Sequence, residues 1–300
     1  MQAINFGRVM TAMATPFDSK GDINLKESIR LAHYLVETGT DTLVLAGTTG
    51  ESPTLTHAEE AALFRAIVTD LKGKAKIIAG AGSNSTKTAI DASKRAHEIG
   101  VDGLLQVVPY YNRPSQEGLY QHFKAIAEAT PLPILLYNIP GRTGRNMEVD
   151  TIRRLAQIPT IIGNKESAGS VEQVRQQRLA TPKDFLIYSG DDGLTLDFIK
   201  AGAYGVVSVA AHCVGAHIQT MINMMLSGDE SGAYALQKQL EPLYEALFMT
   251  TNPVPVKAAL EMMGFEMGNV RLPLVPLTVE EKTQLYTVLE KYNLALLRNA

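Results

Sequence analysis

Short runs of apolar and β-branched residues recur along the first two-thirds of the chain, at residues 9–13, 42–46, 76–79, 103–107, 134–137, 161–165, 185–189 and 205–209. Each has the length of a buried strand. Between most of them the apolar positions change period. Leu25, Ser28, Ile29, Ala32, Leu35 and Val36 mark one face of a helix, and Ala61, Leu63, Phe64, Ile67, Val68 and Leu71 mark another. Gly39, Gly100 and Gly202 stand where helix C-termini are expected. Thr56 and Glu59 have the spacing of a capping box, in which hydroxyl and carboxylate satisfy the free N–H groups of a first helical turn.

Eight strands alternating with helices predict parallel pairing through βαβ crossovers. A doubly wound sheet is the competing architecture. It carries a glycine-rich loop after its first strand, whereas here that strand runs into Ala14-Thr15-Pro16-Phe17. Eight units in roughly 220 residues fit a TIM (β/α)8 barrel. From about residue 229 the strand signal stops, and helical patterns remain over 230–249, 254–263 and 279–298. Asn252-Pro253-Val254-Pro255 and Leu272-Pro273-Leu274-Val275-Pro276 separate them, and Thr278 with Glu281 repeats the capping-box spacing. The expected organisation is an α/β barrel over 1–228 with a C-terminal helical domain over 229–300.

A chain of 300 residues with 45% hydrophobic and 20% charged residues has the makeup of a globular protein with a sizeable core. Its net charge of −3 supplies no basic field for nucleic acid or an anionic membrane. Cys213 is the only cysteine, so no intrachain disulfide forms and a reducing, cytoplasmic setting is expected. The first residues lack the pattern of a signal peptide, and no apolar run approaches the ~20 residues of a membrane span.

Lys165 changes the picture most. It ends the run 161–165, where a long cation leaves a hydrophobic strand. Desolvation disfavours an ammonium, and a neutral amine attacks carbonyl carbon to form a Schiff base. The plainer reading is a strand-end lysine reaching into water. Barrel enzymes place their sites at the C-terminal ends of the strands, and there the unusual residues gather. Strand two ends in Gly47-Thr48-Thr49-Gly50-Glu51, and strand four leads to Pro109-Tyr110-Tyr111-Asn112. Strand five ends in Tyr137-Asn138-Ile139-Pro140-Gly141-Arg142, and strand seven in Ser189-Gly190-Asp191-Asp192.

Glycines in the 47–51 segment let backbone N–H groups approach a small carboxylate, and the threonine hydroxyls add donors; a tight turn into a helix is the alternative. Tyr137 is either a phenol that moves protons beside an imine or a core tyrosine. Arg142 is either a planar fork for a carboxylate or a solvated loop cation. His212, Cys213 and His217 lack the spacing of a metal site, so no metal is expected. Asp191 and Asp192 would repel the phosphate that late barrel loops often bind, which argues against a phosphorylated substrate.

Taken in order, these segments resemble the dihydrodipicolinate synthase/N-acetylneuraminate lyase family, barrels that bind pyruvate through a lysine. The resemblance runs from about Gly7 to Leu274. Its most specific parts are Gly47 to Ser52, Pro109 to Pro114, Tyr137 to Gly144, and Ser189 to Asp192. It implies a Schiff-base aldol condensation of pyruvate with L-aspartate 4-semialdehyde, in the diaminopimelate route to lysine. Lys165 would form the imine and Tyr137 would transfer protons. Thr48 and Tyr111 would complete a relay, with Tyr111 crossing a dimer interface. Thr49 would hold the pyruvate carboxylate, and Arg142 that of the aldehyde. Gly190 and Val207 would line the pocket through main-chain groups; many relatives carry isoleucine at the Val207 position.

The resemblance also implies no metal or organic cofactor, a homotetramer built as a dimer of dimers, and inhibition by L-lysine at Ser52, His57, Glu60, Asn84 and Tyr110. Glu60 would face the ligand's ammonium, whereas an exposed acid in a first helical turn is the plainer reading. Pro53 and Thr88 depart from lysine-sensitive members, and Asn164 stands where an apolar residue is commoner. Two other readings stay open. One is a sister lyase cleaving N-acetylneuraminate or a keto-deoxy sugar acid, and the other is a non-catalytic ligand-binding barrel. The Arg142 segment favours a short carboxylated aldehyde over a polyol. The joint presence of Lys165, Tyr137, Thr48 and Tyr111 favours an enzyme.

Overall fold

The computed structural model of the chain describes residues 5–297. Strands β1 (Val9–Ala12), β2 (Thr42–Leu45), β3 (Lys76–Gly80), β4 (Gly103–Val107), β5 (Ile134–Asn138), β6 (Ile161–Glu166), β7 (Leu186–Ser189) and β8 (Gly205–Ser208) form a closed barrel in chain order. This is the TIM barrel that the alternation predicts. Strands β1, β2, β5 and β8 are buried at every position. Burial on both faces is why these runs read as continuous apolar stretches rather than alternating ones. Both capping boxes form. At the first, Thr56 N donates to Glu59 Oε2 (2.7 Å) and Glu59 N to Thr56 Oγ1 (3.2 Å). At the second, Thr278 N donates to Glu281 Oε2 (2.8 Å).

The chain makes two compact units. One contains the residues up to Ala75 and those from Ser208 onward. In it β1 pairs in parallel with β2, placing Thr11 opposite Leu43, and the helix Ala211–Leu226 packs on β1 and on the helix Glu230–Leu247. His212 is fully buried there; its Nε2 accepts from Ala14 N (3.0 Å) and its Nδ1 meets Val209 O (2.8 Å). Burial, opposed by the Val209 hydrogen bond, holds that imidazole down at about 4.

The other unit is Lys76–Val207. Parallel pairing runs from β3 through β8, with Tyr137 opposite Lys165 and Asn138 opposite Glu166. Gly163 is required by close approach: a Cβ there would lie 2.3 Å from Leu186 O.

One helix is shorter than its pattern predicts. The segment 279–298 holds the helix Val279–Leu289 and then turns back. Tyr292 donates to Gln239 O (2.8 Å) and Leu297 N to Met262 O (2.7 Å), so the tail is tied to the two preceding helices instead of continuing the helix. Residue 298 lies outside the described residues. Among the described residues, no helix is long and apolar enough to cross a membrane.

Candidate active site

Lys165 is nearly buried, at 6% exposure, on the next-to-last residue of β6. Strand alternation turns it away from Asn164 and Glu166, whose side chains meet Gln177 of the helix Val171–Ala180. Its Nζ sits 4.2 Å from the centroid of the Tyr137 ring. That places a cation over an aromatic face, with a phenol carried by the neighbouring strand. Gly190 makes room for this lysine. A Cβ there would stand 2.8 Å from Lys165 Cε and 1.9 Å from Ser167 Oγ. Gly190 N donates to Glu166 O at 2.8 Å, so the β7 exit is tied to the residue after the lysine. The structure therefore brings Lys165, Tyr137 and Gly190 together.

The remaining predicted residues of this unit have surroundings of their own. Arg142 is exposed on the short helix Pro140–Thr143, which Arg142 N and Thr143 Oγ1 anchor to Ile139 O, each at 3.0 Å. Among the described residues its guanidinium has neither hydrogen bond nor ion pair. Val207 is buried in β8. Tyr111 is 92% exposed and has φ 73°, a left-handed conformation that costs a bulky residue energy. Its loop is tethered where Asn112 Nδ2 donates to Asn84 O (2.8 Å). Tyr110 is exposed in the same loop.

In the other unit, the segment 47–51 is bounded by two non-glycine residues in the left-handed region, Ala46 (φ 49°) and Glu51 (φ 56°). Such strain persists only where the surroundings enforce it. Thr48 O accepts from Glu51 N (3.1 Å), and Thr15 Oγ1 donates to Gly50 O (2.7 Å). Thr49 is buried, and its Oγ1 accepts from Asn252 Nδ2 at 2.9 Å. A hydroxyl that accepts from an amide keeps its own proton for another acceptor.

Glu51 is buried against Lys257, with Nζ–Oε1 at 2.8 Å, and also accepts from Arg271 N (2.9 Å). Burial pushes the Lys257 amine down, and the Glu51 charge opposes this. Arg271 continues the network to Glu59, holding that carboxyl down at about 2.

Of the residues expected to bind L-lysine, three gather within this unit. Ser52 Oγ donates to Glu60 Oε1 (3.1 Å), and His57 Nδ1 lies 3.2 Å from Glu60 Oε2. The Glu60 side chain is only 12% exposed, so it is not a solvated first-turn acid. Asn84 and Tyr110 belong to the other unit.

Sequence reasoning missed Asn252, Lys257 and the buried acid Glu166. Lys257 had a signal, a cation inside the apolar stretch Val254-Pro255-Val256-Lys257-Ala258-Ala259-Leu260. Asn252 read only as part of a linker. Among the described residues, no group of three or more His, Cys, Asp or Glu side chains could hold a metal ion.

A parallel barrel with a buried amine over a tyrosine ring at adjoining strand ends defines a class, the lysine-bearing barrel lyases. Within that class, the chain belongs to the dihydrodipicolinate synthetase family, whose model matches residues 5–292. It is similar to the 4-hydroxy-tetrahydrodipicolinate synthase of Moorella thermoacetica, at 54% identity over 97% of this chain and 100% of that one. Among solved structures it is similar to the lysine-bound enzyme of Cyanidioschyzon merolae, with TM-score 0.94, 48% identity and coverage of 95% and 98% of the two chains. It is also similar to a monomeric dihydrodipicolinate synthase variant, with TM-score 0.93, 39% identity and coverage of 96% and 97%.

Proposed function

We propose that the chain condenses pyruvate with L-aspartate 4-semialdehyde, the reaction of a 4-hydroxy-tetrahydrodipicolinate synthase, through an imine on Lys165. The observation that carries this is the buried Lys165 amine 4.2 Å from the Tyr137 ring, in a chain 54% identical to a relative of that name. The Lys165 amine attacks the ketone carbon of pyruvate. Tyr137 delivers a proton to the departing oxygen, and water leaves to give the imine. The imine is an electron sink, so a methyl proton is lost and an enamine forms. The enamine carbon attacks the aldehyde and makes the new carbon–carbon bond. The amino group of the second substrate then attacks the imine carbon, closing the ring and releasing Lys165.

Thr48 and Tyr111 complete the proton relay. Thr49, with its hydroxyl proton uncommitted, binds the pyruvate carboxylate; Arg142, with its guanidinium unpaired, binds that of the aldehyde. Gly190 and Val207 line the pocket. No cofactor enters any step. Barrel and helical segment divide near residue 228, and Asn252 of the latter supports Thr49.

The assembly is a homotetramer in which Tyr111 completes a neighbour's site. A ring 92% exposed in the single chain supports this, and the monomeric relative makes sedimentation a necessary measurement. L-Lysine inhibits through Ser52, His57, Glu60, Asn84 and Tyr110, a reading supported by the lysine-bound relative and by the clustering of the first three around Glu60.

Borohydride reduction with pyruvate, followed by peptide mapping, tests the central claim. A reduced pyruvyl group is expected on Lys165 and absent from Lys165→Ala. A trapped group on any other lysine overturns it. Turnover with aspartate semialdehyde and none with N-acetylneuraminate separates this reaction from the sister lyase.

A further inference from the structure

The strand that carries Lys165 on one face carries a buried acid on the other. Glu166 is fully buried and, among the described residues, forms no ion pair. Five neutral N–H donors converge on it. Ala168 N (2.8 Å) and Asn138 Nδ2 (2.9 Å) reach Oε1. Gln177 Nε2 (2.5 Å), Gln173 Nε2 (3.1 Å) and Asn164 Nδ2 (3.2 Å) reach Oε2. The donors are themselves linked. Asn164 Nδ2 also donates to Gln177 Oε1 (3.1 Å), while Asn146 connects Asn138 (2.7 Å) to Gln173 (3.0 Å). Asn138 Oδ1 accepts from Met147 N (2.9 Å).

A layer between a barrel strand and its covering helix is ordinarily apolar, and burying a carboxylate without a counter-ion is costly. The polar Asn164 in this strand has a physical role here: its Nδ2 is one of the donors to the Glu166 carboxyl, whose burial favours the neutral form. The network is also specific in what it spans. In the β5–β6 ladder the Asn138–Glu166 pair directly follows the Tyr137–Lys165 pair. Asn146 and Met147 lie just beyond the helix that carries Arg142. Asn164 Oδ1 has no hydrogen-bond partner, but the Glu166 carboxyl itself is held by five directional donors, which fix the strand and helix that supply them.

We propose that Glu166 and its amide donors form a positioning device for the Lys165–Tyr137 pair, fixing the β5–β6 register from behind the reactive face. Glu166 touches no reacting atom and is a positioning residue. The proposal rests on Lys165 being the imine-forming amine.

The test measures the rate of borohydride-dependent pyruvate trapping at saturation, the pyruvate concentration giving half that rate, and thermal unfolding. Glu166→Gln puts an amide donor among donors. Trapping is expected to slow by about tenfold or more at unchanged half-saturation, because sub-ångström misplacement of reacting groups has effects of that order. Glu166→Gln with Gln177→Glu returns a carboxylate to the same network from the helix side, and is expected to recover the rate to within about threefold. If Glu166→Gln alone does not fold, Asn164→Ala decides, since it removes one donor and keeps the acid; a several-fold slowing is expected. A folded Glu166→Gln or Asn164→Ala protein that melts earlier yet traps at the wild-type rate overturns the proposal, as does a double variant no faster than the single one. Wild-type protein that is not trapped at Lys165 refutes the underlying imine reading instead, and is distinguished by that control.

Discussion

Glycine at position 190 is required by space, and Gly190→Ala tests how tightly the site holds Lys165, the proposed nucleophile. The new methyl would lie 1.9 Å from Ser167 Oγ, 2.8 Å from Lys165 Cε and 3.1 Å from Lys165 Cγ. Ordinary carbon contacts begin near 3.5 Å, so the lysine stem must move by roughly 0.7 Å or the backbone must give. Ser167 Oγ has no hydrogen-bond partner, so rotating it away breaks nothing. The lysine is different, because its stem cannot shift without moving Nζ relative to the Tyr137 ring. Overpacking of this kind costs about 1–3 kcal/mol of stability, and a displacement approaching 1 Å slows chemistry by about 10–100-fold.

Adding Ser167→Ala separates the two contacts. It removes the shortest one and leaves the lysine contacts in place. Gly190→Ala is expected to unfold at lower urea and trap pyruvate slowly. The double variant is expected to regain part of the stability while trapping stays slow. Wild-type trapping in the double variant would place the whole clash on Ser167 and refute the argument that Gly190 makes room for Lys165. Wild-type stability and trapping in Gly190→Ala would refute the packing itself.

Three further outcomes follow from other contacts. Lys257→Met leaves Glu51 charged and buried without its partner, and should cost about 3–5 kcal/mol in urea unfolding; adding Glu51→Gln should recover most of it, and a loss below about 1 kcal/mol for the single variant would contradict the buried pair. Asn252→Ala frees the Thr49 oxygen and should raise the half-saturating pyruvate concentration by about fivefold, near 1 kcal/mol, with no added effect in a Thr49→Val background; full additivity would show that Asn252 does not act through Thr49. His212 is neutral when folded, so its stabilisation is complete above about 6.5 and is lost as pH falls to about 4, a decline on the order of 3 kcal/mol that His212→Gln should lack; parallel pH–stability curves for the two proteins would contradict this.

The strands were legible because barrel strands are buried on both faces, so Ile134 to Tyr137 or Ile161 to Lys165 needs no partner to declare itself. The residues proposed to react were legible for a related reason. They stand at the C-terminal ends of those strands, and parallel pairing in chain order then sets Tyr137 beside Lys165 without further information. The supporting residues follow another rule. Thr49 takes its partner from position 252, and Glu51 takes its cation from position 257. Periodicity reports which face of an element is buried. It does not report which distant amide or ammonium will meet that face.

Glu166 shows the limit most sharply. Its acid is adjacent to Lys165 in sequence, yet three of its side-chain donors, Asn138, Gln173 and Gln177, are defined only once β5, β6 and the helix Val171–Ala180 pack. Buried polar groups here stand directly behind the residues proposed to act on substrate, Asn252 behind Thr49 and Glu166 behind Lys165. Unlike close-packed apolar side chains, hydrogen bonds are directional, so they fix orientation as well as distance. An amine held over a ring needs both. The cost of burying those groups is the physical counterpart of their being invisible to a hydrophobic pattern.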